Sequence, residues 1–296
     1  MLHVHSEVAF AIQAHLPVVA LESTLIAHGL PWPLNLETAV AAEDAVRAAG
    51  VVPATIAVLN GKPTIGLTRS EIETLAKRTD VMKASRRDLA AAVALGRTAS
   101  TTVAATMYLA HLAKIRIFAT GGIGGVHRGA ERSFDISADL VELSRTPVAV
   151  VCAGAKSVLD IPKTLELQET FGVPVVGFGT DTFPAFFVRS SGLPVSVRLD
   201  TPDAVARFLR IHWELHGRGA LIAQPCPESV ALSAQEFDAA LAEAERRVGE
   251  VHGSAVTPAL LKALAEVTGG RTLQANRELI VADAQLAARI AACEEL

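Results

Sequence analysis

Residues 148–166, VAVVCAGAKSVLDIPKTLE, begin as a buried β-strand and place a lysine, Lys156, where the apolar run ends. Similar β-branched runs recur along the chain, mostly separated by Ala-, Leu- and Glu-rich segments of helical period. They are PVVALEST at 17–24, PATIAVLNGKPTIGL at 53–67, IRIFATGG at 115–122, PVAVVCAGA at 147–155, VPVVGFGT at 173–180 and GALIAQP at 219–225. This alternation predicts an α/β fold: a three-layer α/β/α sandwich around a mixed, largely parallel sheet.

Local signals refine this prediction. Asn60-Gly61 stands between two apolar runs and is typical of a hairpin, so part of the sheet should be antiparallel. Thr201 and Pro202 suit the N-cap and first position of a helix that runs towards Gly217. Since the chain has no linker or internal repeat, we expect a single domain over residues 1–296, with a helical C-terminal part at about 230–296.

Composition excludes several classes of protein. The 296 residues carry a net charge of -4, and only 4% are aromatic, so a polymer of nucleic acid is not an expected partner. The three cysteines are far apart in the sequence and indicate no disulfide framework. The first ten residues lack the pattern of a signal peptide, and no stretch reaches the ~18 apolar residues of a membrane span. We therefore expect a cytoplasmic protein with no membrane partner.

Four unusual stretches fall at the ends of predicted parallel strands, where α/β proteins usually bind ligands. One of them is rich in glycine, and its free backbone amides are expected to surround a phosphate, with His127 and Arg128 adding charge. The four stretches are LESTLIAHGLPWPLN at 21–35, ATGGIGGVHRGAERSFDISADL at 119–140, CAGAKSVLDI at 152–161 and GFGTDTFPAF at 177–186.

Three short motifs imitate known sites without matching them. The glycine loop has His127 where a dinucleotide fingerprint needs its third glycine, and AGAKS has Ala155 where a P-loop needs glycine. HWELH places His212 and His216 four residues apart but does not have glutamate next to the first histidine, as a zinc protease motif requires. Neither nucleotide hydrolysis nor zinc binding is favoured.

The residues with chemical potential each have two interpretations. Lys156 either extends its ammonium to water or is kept partly neutral for chemistry, and Glu22 is either a general acid or a salt-bridge partner. Lys83 belongs either to an anion site or to a solvated basic turn. Asp135 and Asp139, one helical turn apart if that segment is helical, are either ligands for Mg²⁺ or Mn²⁺ or a helix N-cap and a solvated carboxylate.

An ordered set of motifs favours the functional interpretations. The chain resembles the pseudouridine-5'-phosphate glycosidase family from Pro17 to Ile290, which is nearly its full length. The matching stretches are ALESTLIAHGLP at 20–31, DVMKASRRDL at 80–89, TTVAATM at 101–107, FATGGIGGVHRGAE at 118–131, FDISADL at 134–140, VCAGAKSVLDIPKTLE at 151–166 and GFGTDTFPAF at 177–186.

The resemblance implies reversible cleavage of the carbon–carbon glycosidic bond of pseudouridine 5'-phosphate, giving uracil and ribose 5-phosphate. It implies that Lys156 is the nucleophile, that Glu22 is the proton donor and that Asp135 binds one Mn²⁺ ion per subunit. It also implies a homotrimer. The positions that match substrate contacts in the family are Lys83, Val103, Ser137, Ala138 and Asp139.

The implied chemistry explains the need for an amine. A C-glycoside has no heteroatom leaving group at its anomeric carbon, so protonation alone cannot release the base. If the sugar ring opens with a proton from Glu22, neutral Lys156 can bond to C1', and the base leaves as an iminium forms. Desolvation at the strand end, aided by a cation such as Lys83, would favour the neutral amine.

Three points remain open at this level. Trp32 and Leu34 stand where tyrosine and a polar residue are commoner in the family, which affects the expected recognition of the base. A Schiff-base aldolase or lyase acting on another phosphosugar would share Lys156 but would not require uracil. A non-catalytic phosphosugar-binding protein would keep the pocket without turnover.

Overall fold

The computed structural model describes residues 2–249 and 256–293. The strands are β1 (His3–Val4), β2 (Val18–Leu21), β3 (Val52–Leu59), β4 (Lys62–Ile65), β5 (Met82–Ala84), β6 (Ala99–Thr101), β7 (Ile117–Ala119), β8 (Ala149–Cys152), β9 (Val175–Phe178), β10 (Val197–Leu199) and β11 (Ala220–Ala223). The helices are α1 (Ser6–Gln13), α2 (Leu34–Ala48), α3 (Arg69–Lys77), α4 (Leu89–Ala94), α5 (Val103–Leu112), α6 (Ala130–Ser133), α7 (Ala138–Leu143), α8 (Ile161–Thr170), α9 (Pro202–Glu214), α10 (Ala234–Val248), α11 (Val256–Val267) and α12 (Arg271–Ala291).

The described strands form one 11-stranded sheet with the order β1-β4-β3-β2-β7-β8-β11-β9-β10, and β6 and β5 extend from β3 as a branch. Strand β3 pairs antiparallel with β4 and β6, whereas the other pairs are parallel. The central strands β2 and β8 are buried along their whole length, as expected for a sheet with helices on both faces. The predicted three-layer α/β/α sandwich with a mixed, largely parallel sheet is confirmed.

The predicted local signals also appear. Asn60 and Gly61 both have positive φ, of 49° and 75°, and connect β3 to β4 as a tight hairpin. Thr201 caps α9 by accepting a hydrogen bond from the Ala204 amide, and Pro202 occupies the first turn. The sequence pattern did not reveal the short strands β1, β5, β6 and β10, which have two or three residues each.

Helix α12 ties the C-terminal part of the chain to the sheet. It contacts β2, β7 and β8 and packs along α2. Helix α11 contacts α12, and α10 packs against α11. The predicted helical character of the C-terminal part is therefore confirmed for the described residues, and residues 250–255 and 294–296 of that segment lie outside them. The expectation of one domain stays a prediction.

A branch in the sheet shapes the edge where the chemistry is expected. Strand β2 ends at Leu21, opposite Thr55, and β6 pairs with β3 just beyond that point, with Ala57 opposite Ser100. The Ser23 hydroxyl donates to the Ile56 carbonyl oxygen at 2.6 Å, filling the gap between the two strands. Strand β6 and its partner β5 therefore lie beside the end of β2.

None of the helices within 2–249 and 256–293 is long and apolar enough to cross a lipid bilayer.

Candidate active site

The four stretches predicted to bind a ligand meet at one edge of the sheet. They follow β2, β7, β8 and β9, which are parallel and lie in adjacent or near-adjacent positions. Because the carboxyl ends of parallel strands point the same way, the four loops share one side of the molecule. The predicted placement of these stretches at the ends of parallel strands is confirmed, and their joint use as one site stays a prediction.

Glu22 follows β2 directly and is partly buried. One of its carboxyl oxygens, Oε1, accepts a short hydrogen bond from the Thr120 hydroxyl after β7. Burial raises the pKa of Glu22 above its ordinary value, and the positive charges of Lys156 and Lys83 oppose this effect without reversing it. A raised pKa favours the protonated form of a carboxyl, which is the form that a general acid needs.

Lys83 is the middle residue of β5, not part of a solvated turn, and it pairs in register with Ser100 of β6. The branch in the sheet therefore brings its partly buried side chain towards Glu22. Burial lowers the pKa of Lys83, and the positive charge of Lys156 lowers it further, while Glu22 and Asp139 act in the opposite direction.

Lys156 lies in the loop after β8, and its Nζ donates a hydrogen bond to the Gly122 carbonyl oxygen at 2.9 Å. The backbone around the lysine is fixed, because the Lys156 amide donates to Ile123 and the Ile123 amide donates to Gly154. Gly154 has a φ of 89°, and a Cβ there would lie 2.1 Å from the Pro184 carbonyl oxygen, so only glycine fits. The loops after β7, β8 and β9 are thus locked together around the amine.

Asp139 fastens the glycine loop to α5. Its Oδ1 accepts from the Ala104 amide at 2.9 Å, and its Oδ2 accepts from the Gly124 amide at 2.8 Å. A Cβ on Gly124 would lie 2.2 Å from Ser137 Oγ, so the loop can approach the start of α7 only as glycine. Asp139 thus links the start of α5 to the start of α7, and its charge acts on Lys83. The five predicted substrate contacts lie in or next to these segments, namely Lys83, Val103, Ser137, Ala138 and Asp139.

The interpretation of the two aspartates as a helix N-cap and a solvated carboxylate is wrong. Ser137, not Asp135, caps α7, and Asp139 is only 6% exposed, so the two aspartates do not share one helical face. The amides of Ile123, Gly124, Val126 and His127 donate to protein acceptors, so these four do not contribute to the expected cradle of free amides. Bonds to neighbouring segments fix these positions, and the rest of the cradle stays a prediction.

His127 is the part of the glycine loop that faces the site. Its Nδ1 lies 3.9 Å from Asp135 Oδ2, and its side chain is 17% exposed. Burial lowers the pKa of His127, the Asp135 carboxylate raises it, and the charges of Lys156 and Lys83 lower it again. The His127 side chain is therefore within the electrostatic influence of the predicted metal ligand and of both lysines.

Asp135 offers a limited metal site. Within 2–249 and 256–293, no group of three or more His, Cys, Asp or Glu side chains converges as a metal cage would require. Asp135 alone supplies a partly exposed carboxylate, and Mg²⁺-like ions keep several waters and bind through one or two carboxylates. The residues present fit a hydrated ion on one carboxylate, not a closed protein cage.

His28 is a residue that the sequence did not single out. It lies in a π-helical turn at Leu25–Gly29, after β2, and its ring donates to the Val81 carbonyl oxygen. Burial lowers the pKa of His28, and the charge of Lys83 lowers it further. The feature that draws attention to His28 is structural, because π-helical turns are frequent at functional sites.

Other residues noted in the sequence lie elsewhere. Trp32 is 49% exposed and has the Lys77 ammonium 4.9 Å from its ring centroid, and Leu34 is the first residue of α2. His216 has a φ of 61° and follows the C-cap of α9, so it does not continue the helical face of His212. The zinc motif imitated by HWELH is therefore not formed.

The comparisons with known proteins agree over nearly the whole chain. Residues 7–293 match the family described as indigoidine synthase A like protein. A pseudouridine-5'-phosphate glycosidase of Legionella pneumophila is 52% identical over 98% of this chain and 95% of its own length. Another from Solibacter usitatus is 55% identical over 98% of each chain.

Solved structures give the same fold. The prealnumycin C-glycosynthase AlnA in complex with ribulose 5-phosphate is 42% identical, with a TM-score of 0.91 over 99% of this chain and 96% of that one. An indigoidine synthase A-like protein of Thermotoga maritima is 35% identical, with a TM-score of 0.91 over 100% and 97%. The chain belongs to the family of indigoidine synthase A-like proteins and pseudouridine-5'-phosphate glycosidases.

Proposed function

We propose that this protein reversibly cleaves the carbon–carbon glycosidic bond of pseudouridine 5'-phosphate, giving uracil and ribose 5-phosphate. The observation that carries the proposal is the grouping of Glu22, Lys83 and Lys156 at one sheet edge, where each charge acts on the others. A raised pKa at the acid and a lowered pKa at an amine are what this reaction requires. The names of relatives more than 50% identical over nearly the full chain support the substrate.

In the first step, Glu22 gives its proton to the ring oxygen of the ribose, and the C1'–oxygen bond breaks. The nitrogen of Lys156 uses its lone pair to form a bond to C1'. The lowered pKa of Lys83 suits this side chain to take up the proton that Lys156 loses. Lys83 is thus proposed to assist the nucleophile as well as to contact the substrate.

In the second step, Lys83 gives the proton that it took up to the uracil carbon that is bonded to C1'. The bond between the two carbons breaks, its electron pair stays with uracil, and an iminium forms between C1' and Lys156. Water then adds to the iminium carbon, and the nitrogen leaves as the amine of Lys156. Uracil and ribose 5-phosphate are the products.

We propose that Val103, Ser137 and Ala138 contact the phosphosugar, with Lys83 supplying charge. Ser137 is partly buried and Ala138 is exposed at the start of α7, beside the Gly124 segment, so both can be reached from the shared edge. The carboxylate of Asp139 is occupied by two backbone amides, so its proposed contribution to binding is mainly to position this loop. The ribulose 5-phosphate in the AlnA complex supports a sugar phosphate as ligand of the fold.

We also propose that Asp135 holds one hydrated Mn²⁺ ion per subunit. The ion would supply positive charge that helps to bind the sugar phosphate, so turnover would need it, although it takes no part in the bond changes above. A homotrimer is proposed from the family resemblance, and a solution mass of about three times 31.0 kDa would support it. The cytoplasmic location stays a prediction.

The test is the reverse reaction, because it depends on the base. The protein is incubated with Mn²⁺ and ribose 5-phosphate, with and without uracil, and pseudouridine 5'-phosphate is measured by mass spectrometry. The proposal expects this product only with uracil. Turnover of ribose 5-phosphate with other acceptors but not with uracil would instead favour another C-glycoside-forming or aldolase reaction, which the C-glycosynthase relative makes the second candidate.

A further inference from the structure

A small cavity lies behind Glu22, inside the layer between the sheet and helices α2 and α12. Its volume is about 20 Å³, which is enough for one water molecule. Most of its walls are apolar, and Glu22, Thr55 and Thr120 supply the polar side chains. A single water there would have the two to four polar partners that a buried water needs.

Thr55 connects this cavity to a second acidic residue. Its hydroxyl donates a short hydrogen bond to Oε1 of Glu43 on α2, and both side chains are buried. Thr55 is opposite Leu21 in the sheet, one residue before Glu22. The Thr55 hydroxyl is therefore adjacent to the cavity on one side and bonded to Glu43 on the other.

Glu43 in turn lines a larger cleft of about 320 Å³ that does not contain Glu22. The cleft includes Pro53 at the amino-terminal part of β3 and Gly66 just after β4, which runs antiparallel to β3. It therefore opens away from the edge where the substrate loops meet. The charged and titratable residues that line it are His5, Glu7, Glu43, Asp44, Arg47 and Arg69.

We propose that Thr55 and Glu43, with one water in the small cavity, form a proton relay that reprotonates Glu22 from the far side of the sheet. This inference rests on the proposed function, in which Glu22 is the acid. Thr55 and Glu43 do not touch the substrate, so they serve Glu22 and are not catalytic residues themselves.

The relay moves one proton inward through four oxygen centres. Glu43 takes a proton from solvent in the cleft and gives it to Thr55 Oγ1, the Thr55 hydroxyl gives its own proton to the water, and the water gives one to the Glu22 carboxylate. Hydroxyl rotation then restores the starting orientation. Hydrolysis of the iminium releases one proton to solvent, so a complete turnover is neutral in protons.

The surroundings of the two carboxyls are alike in one respect. Burial raises the pKa of both Glu22 and Glu43 above its ordinary value, which favours the protonated form of each. The groups that act on Glu22 are Lys156, Lys83 and Asp139, and those that act on Glu43 are Arg47, Arg69 and Asp44. Glu43 is thus a buried acid that lines the solvent cleft, and Glu22 is a partly buried acid on the side of the proposed substrate site.

The experiment separates the first turnover from later ones. Glu43→Gln keeps the shape of the side chain but cannot pass on a proton, and Thr55→Val removes the hydroxyl, whereas Thr55→Ser retains it. Controls on α2 are Glu37→Gln, at an exposed glutamate, and Thr38→Val, at a buried threonine whose hydroxyl has no partner among the described residues. Uracil release is followed by rapid quench with pseudouridine 5'-phosphate in several-fold excess over the enzyme, so that the first turnover and the later ones are both measured.

We expect Glu43→Gln and Thr55→Val to release about one uracil per subunit at the wild-type rate, because Glu22 starts protonated. Steady-state turnover should then fall by about tenfold or more, while Thr55→Ser and both controls keep it. Equal loss of the burst and the steady state would mean a structural role, and unchanged steady-state rates in Glu43→Gln would also overturn the relay. If Thr55→Val does not fold, Glu43→Gln decides. If the wild-type protein releases no uracil, the proposed function fails and the relay fails with it.

Discussion

The Nζ of Lys156 lies 2.9 Å from the carbonyl oxygen of Gly122, so the lysine that follows β8 is hydrogen-bonded to the loop that follows β7. Burial of an ammonium without a partner costs several kcal/mol. This contact uses one of the N–H donors of Nζ and leaves the others for a substrate. A Cβ on Gly122 would lie 2.6 Å from the Phe186 ring, so the ring packs closely against this glycine. The amine is therefore held in place before any sugar arrives.

The first prediction concerns Glu22. Glu22→Gln keeps the size of the side chain but removes the acidic proton, and it should lower kcat by about 10²- to 10⁴-fold, the usual contribution of a general acid. Because burial raises its pKa, the active protonated form of Glu22 persists at low pH and is lost as the pH rises through that value. A profile of kcat/KM against pH should thus fall on the alkaline side in the wild type. A Glu22→Gln variant with near-normal rates would exclude Glu22 as the acid.

The second prediction concerns the fastening of the glycine loop. Gly124→Ala places a methyl group 2.2 Å from Ser137 Oγ and 2.8 Å from Asp139 Oδ2, so the loop must move and the bond to Asp139 must lengthen or break. We expect a rise in KM for the phosphosugar and a loss of about 1–3 kcal/mol in unfolding free energy. Gly29→Ala is the control, because its nearest new contact is 3.7 Å. Equal behaviour of the two variants in urea unfolding and kinetics would contradict this role.

The third prediction concerns the metal. Treatment with a chelator should abolish turnover, and Mn²⁺ should restore it in the wild type. Asp135→Asn should weaken Mn²⁺ binding by tenfold or more, since a neutral amide replaces the one carboxylate that fits the ion. Electron paramagnetic resonance of free Mn²⁺ measures this affinity without reference to activity. Unchanged affinity in Asp135→Asn would assign the ion to another site.

The fourth prediction concerns stability and a buried acid on α12. Asp283 is 1% exposed, and its Oδ2 has no hydrogen-bond partner among the described residues, although Oδ1 accepts from Gln224 at 3.4 Å. Burial raises the pKa of Asp283 well above its ordinary value. The folded protein therefore binds a proton that the unfolded chain loses above about pH 4.

Stability should consequently decrease as the pH rises from about 4 towards the folded pKa, with a slope of up to about 1.4 kcal/mol per pH unit from this residue. Asp283→Asn should remove that slope. The control Asp238→Asn, at an exposed residue, should retain it. Urea unfolding between pH 5 and 8 measures the difference. Parallel curves for the wild type and Asp283→Asn would mean that Asp283 is ionised in the folded protein.

The sequence predicted the parts of this protein that depend on strong local patterns. Long apolar runs identified β2, β3, β8 and β11, and Asn60-Gly61 identified the hairpin. Glu22 and Lys156 follow the carboxyl ends of β2 and β8, a position from which the sequence predicts site residues. The family resemblance supplied their roles, which residue chemistry alone had left open.

The remaining features depend on long-range pairing that leaves little trace in the sequence. Strand β5 has only three residues, so the local sequence around Lys83 is typical of a basic turn. The pairing of β5 with β6, and of β6 with β3, brings Lys83 beside the end of β2. The burial of Asp139 could not be predicted locally, because the amides that donate to its carboxylate belong to Ala104 and Gly124, which are far away in the sequence. His28 lies in a π-helical turn that no sequence pattern predicted.

The central claim, that Lys156 forms a covalent bond to the sugar, is tested most directly by trapping. The wild-type protein is incubated with ribose 5-phosphate, reduced with borohydride, digested and analysed by mass spectrometry, with Lys156→Ala as control. We expect the mass of a reduced ribose 5-phosphate adduct on the peptide that contains Lys156, and no adduct in Lys156→Ala, which should still fold and bind pseudouridine 5'-phosphate. An adduct found only on another lysine such as Lys83, or normal turnover by Lys156→Ala, would contradict the account.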